Sequence, residues 1–436
     1  MFSGGQIDYN CGMNAICFVF DRLHAGYLGA YGNAWIETPA VDRLASQAFV
    51  FDQALIDTPD LSRLYRSYWQ GRHALAAEAS PGDWPSLAAR LREAGVTTAL
   101  VTDEPAVARH QLAVDFDEII DIDPPWECRT AELIEETHFA RAFVEIIDYL
   151  ESAREPFMLW CHLAGLGTIW DAPSAFRRAY KDEEDPEPPS GAEVPEQMLP
   201  EDHDPDELLG IVQCYAGQVS LLDSCLEAFL EFLQDSKAGG DTLLALTSSR
   251  GFPLGEHRRV GPCDEALYGE LAQVPLMLRF PDGAGAGARS QALVEPADLW
   301  ATLCEWWQVG PTAGAPTASS LIPIVRQDMA AIRDRLCIAG VGGERAMRTA
   351  AWYFRAAGEG EETATVLASE RMEASCLEHE LYAKPDDRWE VNNVSNRCLE
   401  VVECLQDELA RHEQAIRSGT VAQLPALSDV LQNGLG

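Results

Sequence analysis

Lysine is almost missing from this chain: Lys181, Lys237 and Lys384 are the only three in 436 residues, so any mechanism that needs a lysine at a given place can be checked by inspection. Basic residues of both kinds number 32 against 70 acidic ones, a formal charge of −38. That deficit argues against nucleic acid or an anionic membrane as a partner, since both call for cationic contacts, and a polysulfated glycan would be repelled too. No apolar run reaches the ~18 to 20 residues that span a bilayer. The opening Met1 to Asp8 lacks a basic stretch followed by an apolar one, so the expectation is a soluble, cytoplasmic protein. The twelve cysteines include no CxxC pair and no short repeated spacing. Several (Cys17, Cys161, Cys214, Cys225) lie inside apolar segments and read as reduced core thiols rather than a disulfide framework or a metal site.

What is present is enough apolar content, 47%, to bury a large core. The run Asn14 to Phe20 reads as a strand buried on both faces, which leaves Asp21 at its carboxyl end. Thr38-Pro39 reads as an N-cap and first helical residue, with a strand from Phe49 to Leu55 after it. The alternation continues with helix Pro85 to Ala94, strand Thr97 to Thr102, helix Ala131 to Ser152, strand Phe157 to Cys161, helix Pro205 to Gln234 and strand Thr242 to Thr247. This predicts an α/β fold, a large mainly parallel sheet flanked by helices. In such sheets ligands bind beyond the carboxyl ends of the strands, so Asp21, His162 and Ser249 are expected to converge. Residues 1–325 are assigned to this domain, with 178–206 an acidic, proline-rich exposed excursion. A Gly/Pro/Ala/Thr stretch from Gly310 to Ser319, after a helix Pro296 to Gln308, marks a transition. A smaller C-terminal α+β domain, 326–420, follows and ends in a helix Leu399 to Ser418, and 421–436 is a tail.

The segment Phe20-Asp21-Arg22-Leu23-His24-Ala25-Gly26-Tyr27, continued by Thr38-Pro39-Ala40-Val41-Asp42-Arg43, resembles the opening of sulfatases, in the alkaline phosphatase superfamily. The likeness runs in order through Thr58-Pro59 to Gly71-Arg72, Tyr215 to Asp223, Leu254-Gly255-Glu256-His257, Val274-Pro275-Leu276, Asp298 to Leu303, Arg345 to Thr349 and Glu380 to Asn393. It covers roughly residues 14 to 394.

That resemblance implies a cysteine or serine nucleophile at a helix N-terminus, activated by a bound divalent cation. Carried over residue by residue, the nucleophile position falls on Leu61 and the motif's arginine on Tyr65; a leucine cannot attack sulfur. Ser62 is a possible surrogate, but one step along a helix turns a side chain by about 100°, and as an N-cap hydroxyl it needs no other role. Of the implied metal ligands Asp21 survives, followed by Arg22, and the later pair reads Ser249-Arg250. One carboxylate is a poor site for calcium or magnesium. Two readings of Arg250 stay open: it pairs with Asp21 in the cation's place, or it turns outward to solvent. The implied lysine and histidine after the third strand fall on Asp103 and Pro105, and a further histidine on Gly167. His257 and His162 remain to titrate near neutral pH: His257 is a candidate acid or base, and His162 is expected as a satisfied histidine at the rim.

Three readings follow. In the first, hydrolysis is lost, no cofactor is bound, and the chain acts as a binding or regulatory pseudoenzyme toward a small anionic ligand, held by Arg63, Arg66 or Arg250, or toward a protein partner. In the second, a divergent sulfatase or phosphoesterase uses Ser62 or water, with calcium or magnesium on Asp21, His257 and oxygens from Asp57 and Asp60. In the third, the crevice is packed shut by Leu61, Tyr65 and Trp69 and the role is structural.

Overall fold

The computed structural model describes residues 13–77, 84–124, 127–310, 317–357 and 379–434. Strands in chain order are β1 Asn14–Phe20, β2 Phe49–Leu55, β3 Thr97–Thr102, β4 Glu118–Asp121, β5 Phe157–Leu163, β6 Gln197–Met198, β7 Thr242–Thr247, β8 Arg259–Val260, β9 Gln273–Arg279 and β10 Arg289–Val294. In the small domain β11 Arg335–Ala339, β12 Arg345–Thr349, β13 Trp352–Ala356 and β14 His379–Ala383 follow. Eight strands form one sheet in the order β10-β2-β9-β7-β1-β5-β3-β4. Every neighbouring pair is parallel except those made by β9, which runs antiparallel to β2 and β7.

β1 is central and wholly buried because helices cover both faces of the sheet, the condition under which a continuous apolar run is stable as a strand. Side chains alternate across a strand. Ala15, Cys17 and Val19 enter one apolar layer with helices Leu61–Gln70 and Pro296–Trp306, while Ile16, Phe18 and Phe20 enter the other with Pro39–Gln47, His138–Ser152 and Pro205–Asp235. Phe18 stacks on Phe20 and Phe143 and meets Phe229 edge-on. Fully burying one such ring stabilises by about 1.5–3 kcal/mol. The strands β11 to β14 form an antiparallel meander. Against it the helix Leu399–Ser418 lays Val401, Leu405, Leu409 and Ile416, an apolar stripe at helical spacing.

Several expectations need correction. The helix expected from Ala131 starts at His138, where Thr137 accepts the Ala140 N–H as N-cap and the preceding residues form only a short turn. Thr38 flanks its helix, yet its hydroxyl accepts from Gly29; the free N–H groups of Ala40 and Val41 go to the Asp223 carboxylate. The excursion 178–206 is largely exposed but tied down. Buried Arg177 holds the carbonyls of Pro189, Gly191 and Trp170, and β6 pairs with β8. In the tail Leu427 and Leu431 join the small domain's core, and Thr349 and Trp352 donate to the carbonyls of Leu431 and Val430. Most of the expected transition, residues 311–316, lies outside the described residues. No helix among the described residues is long and apolar enough to cross a membrane.

Candidate functional site

Three strand ends and one helix start frame the crevice. Asp21 leaves β1 still bonded to the sheet, its N–H on the Leu163 carbonyl at 2.8 Å. After β7, Ser248 ties the two loops together by donating to the Phe20 carbonyl at 2.5 Å and accepting from Leu23 N–H at 3.2 Å. Asp21, His162 and Ser249 are thereby brought to one end of the sheet, since His162 faces Val19 across β1–β5 and Ser249 Oγ donates to Asp21 Oδ1 at 2.5 Å.

Arg250 turns inward. Its Nε donates to Asp21 Oδ1 at 3.0 Å and its Nη2 to Oδ2 at 2.5 Å, a bidentate pair. Its Nη1 reaches Asp264 Oδ2 at 3.0 Å. Arg22 grips the same Asp264 with both terminal nitrogens, at 2.7 and 3.0 Å, and its Nε stands 3.8 Å from Asp21. Two carboxylates and two guanidiniums form a closed, neutral square. Burial alone would raise Asp21, but Arg250 and then Arg22 outweigh it and hold the carboxyl well below the usual range. Arg22 has a left-handed backbone, φ 66°, uncommon for a non-glycine residue; the Tyr215 hydroxyl on its carbonyl and Asp264 on its side chain hold it there. Gly167 makes room, because a Cβ at that position would lie 2.8 Å from Arg22 Cγ.

The ligand set inferred for calcium or magnesium therefore does not fit such an ion. Its four positions hold Asp21, Arg22, Ser249 and Arg250, both oxygens of Asp21 are already accepting, and an entering cation would face two fixed positive charges. A hard cation needs several free oxygens. Among the described residues no group of three or more His, Cys, Asp or Glu is arranged to hold a metal.

Leu61, where the resemblance put the nucleophile, opens the helix Leu61–Gln70, and the cap is Asp60, which accepts the Arg63 N–H at 2.9 Å. Ser62 is thus not the N-cap. It lies one residue inside the helix, exposed, and only its carbonyl is engaged, by His110 Nε2 at 3.0 Å. Tyr65 is fully buried. Its hydroxyl accepts from Trp160 Nε1 at 3.4 Å and shares a hydrogen bond with His162 Nδ1 at 2.6 Å. His162 is not a satisfied residue at the rim: it lies inside β5, wholly buried, with Nε2 unpartnered among the described residues. Burial pulls it down to about 4, so the ring is neutral at neutral pH. Trp69 packs on Tyr65 with ring centroids 4.4 Å apart.

The other candidates are dispersed. Arg63 is exposed, and Arg66 donates to the Ala74 carbonyl at 3.1 Å, so neither shares a hydrogen-bond partner with Arg250. Asp57 accepts from Ser67 and Ala74 and Asp60 caps a helix, so both oxygen donors of the second reading serve structure. His257 sits at the seam between the domains, on Glu270 at 2.8 Å and the Glu390 carbonyl at 2.9 Å. At the implied lysine position Asp103 pairs with His138 Nε2 at 2.7 Å. Lys181 pairs with Glu187 in the excursion, and Lys384 with Glu390. Asp264 was missed by the sequence reading, although two arginines in ligand places require carboxylates somewhere; nothing in Gly261-Pro262-Cys263-Asp264 marks it.

A family model described as Sulfatase matches residues 13–309. A multifunctional alkaline phosphatase superfamily protein, PehA of Trinickia caryophylli, is 28% identical over 114 residues, a stretch covering 26% of this chain and 22% of that relative. Among solved structures, the phosphonate monoester hydrolase of Agrobacterium radiobacter superposes with a TM-score of 0.71 at 16% identity, over 93% of this chain and 96% of that one. BT1596, a 2-O GAG sulfatase, does so with 0.68 at 17%, over 97% and 96%. At these identities the likeness is one of fold.

Proposed function

The chain belongs to the sulfatase family, and on that premise we propose that it is a member without hydrolytic activity, a pseudoenzyme that works by binding or regulation. The observation that carries this reading is the guanidinium of Arg250 on both oxygens of Asp21, with Arg22 beside it and Asp264 completing the charge balance. Ester hydrolysis here would need a nucleophile and an electrophile to activate it. Leu61 supplies no nucleophile. The positive charge facing the crevice is already neutralised by Asp21 and Asp264, and Tyr65 fills the place of the motif's arginine with a buried ring. We place the protein's work in the cytoplasm, a reading supported by ten free cysteines among the described residues. The charge of −38 disfavours nucleic acid and an anionic membrane as its partner, and the partner in this reading is another protein or a small anionic ligand held locally by arginine.

The test is an assay of the full chain on aryl sulfate, phosphate monoester and phosphonate monoester substrates, with calcium, magnesium, manganese and zinc each supplied. The expected rates equal those of buffer and of Asp21→Asn. Metal-dependent turnover that Asp21→Asn abolishes would establish the rival reading, a divergent sulfatase or phosphoesterase.

A further inference from the structure

Away from the Asp21 cluster, a cavity of about 230 Å³ opens between the β10–β2 side of the large sheet and the small domain. Six charged side chains line it: Asp52, Arg289, Arg348, Lys384, Arg388 and Glu390. Four of them cancel in pairs, Arg289 with Asp52 at 3.4 Å and Lys384 with Glu390 at 3.0 Å. Arg348 and Arg388 are left with no carboxylate within 4.0 Å among the described residues. Arg348, on β12, is 5% exposed. Its partners are all neutral: the carbonyls of Thr349 and Trp352, and Gln53 Oε1 at 3.0 Å. Arg388 is exposed at the mouth and donates only to the Tyr31 carbonyl, at 3.0 Å.

A buried guanidinium is ordinarily paired, because leaving it without a counter-charge is costly. Here one lines a cavity in a protein with 70 acidic residues available to pair it. Burial draws Arg348 down to about 10, so it remains charged at neutral pH. We infer that the cavity is a binding site for a small hydroxylated anion, a carboxylated or phosphorylated polyol, whose acidic group sits between Arg348 and Arg388. The acid supplies the missing counter-charge as a charge-assisted hydrogen-bond acceptor. Asp52, Gln53, Gln291 and Glu390 add polar side chains to the lining, and Tyr353 adds an aromatic one. The volume lies below the ~300–1,000 Å³ of pockets for drug-sized ligands, which restricts the occupant to a small molecule.

The experiment is isothermal titration of the full chain with gluconate and with glycerol phosphate, sorbitol serving as the uncharged control. The expected result is saturable one-to-one binding of at least one anion and none of sorbitol, weakened about tenfold or more by Arg388→Ala, an exposed change that spares the fold. Arg348→Lys keeps the charge but loses the planar fork, and it should weaken binding as well. Saturable heat from neither anion, equal binding of sorbitol, or an affinity unmoved by both substitutions would overturn the inference. Preference for gluconate or for glycerol phosphate identifies the acid. The site shares no residue with the Asp21 cluster, so the outcome is independent of the hydrolysis assay.

Discussion

Arg250 is held by three acceptors on two acids, and that arrangement sets how the residues around it respond to change. Replacing Arg250 with Ala strands Asp21 in a buried site beside Arg22 alone. Breaking a buried pair by removing one partner costs about 3–5 kcal/mol, so urea unfolding of Arg250→Ala should show a loss of that order; a loss within experimental error would mean that the square is ornamental. The pH dependence has a definite sign. The folded carboxyl of Asp21 lies below its unfolded value of about 3.9, so its contribution is fully present above that value and is lost as pH falls toward the folded one. Asp21→Asn should flatten the acid limb of stability. On the proposed reading a serine at position 61 is not enough: Leu61→Ser is expected to hydrolyse aryl sulfate no faster than the parent, because Arg250 still holds both oxygens of Asp21. At this scale the sequence brought Asp21, His162 and Ser249 to one end of the sheet, where they lie, and was poor on the partners they meet. The inward turn of Arg250 could not be chosen over the outward one, because the choice depends on Asp264, 243 positions beyond Asp21.

Among the elements, those with sharp local signals were legible. β1, β2 and β7 and the helix Leu399–Ser418 lie where their apolar periodicity and flanking residues put them. The helix expected from Ala131 failed because Thr137, a strong cap, competes with the residues before it. Thr38 failed as a side-chain cap because Asp223, from a helix far along the chain, takes over its task. Asp223 accepts the N–H groups of Ala40 and Val41 at 3.0 and 2.9 Å although burial raises it to about 6. Asp223→Ala therefore removes a tertiary cap, at an expected cost of about 1–2 kcal/mol. Thr38→Ala should cost less, since Thr38 accepts only the Gly29 N–H. Chemical denaturation of the two variants side by side checks the order, and a larger loss for Thr38→Ala would reverse the assignment.

Across the whole molecule the two sheets are joined by a polar seam. His257 stacks on Tyr268 with centroids 3.5 Å apart, and its nitrogens meet Glu270 and the Glu390 carbonyl, two acceptors that call for a proton on each ring nitrogen. Burial opposes that charge, but Glu270 outweighs it and His257 is raised above the ordinary histidine value. Burial raises Glu270 as well, so the pair shares its proton; with two acceptors on the ring, the direction is toward a charged imidazole. A raised histidine stabilises fully below its unfolded value of about 6.5 and loses that contribution as pH rises through the folded one. As pH rises above about 6.5, thermal melts should therefore fall more steeply for the parent chain than for His257→Gln; parallel curves would refute the assignment. The sequence singled out His257 but not its contact with the Glu390 carbonyl, which joins residues 133 positions apart.

On the proposed reading, guanidiniums stand where the family's cation would be, and metal content tests this. The purified full chain would be equilibrated with calcium and magnesium, freed of loose ions and measured by elemental analysis, with melting temperature recorded with and without metal. No stoichiometric ion and no metal-dependent shift are expected. One tightly bound divalent ion per chain, with a matching rise in melting temperature that Asp21→Asn removes, would contradict that reading.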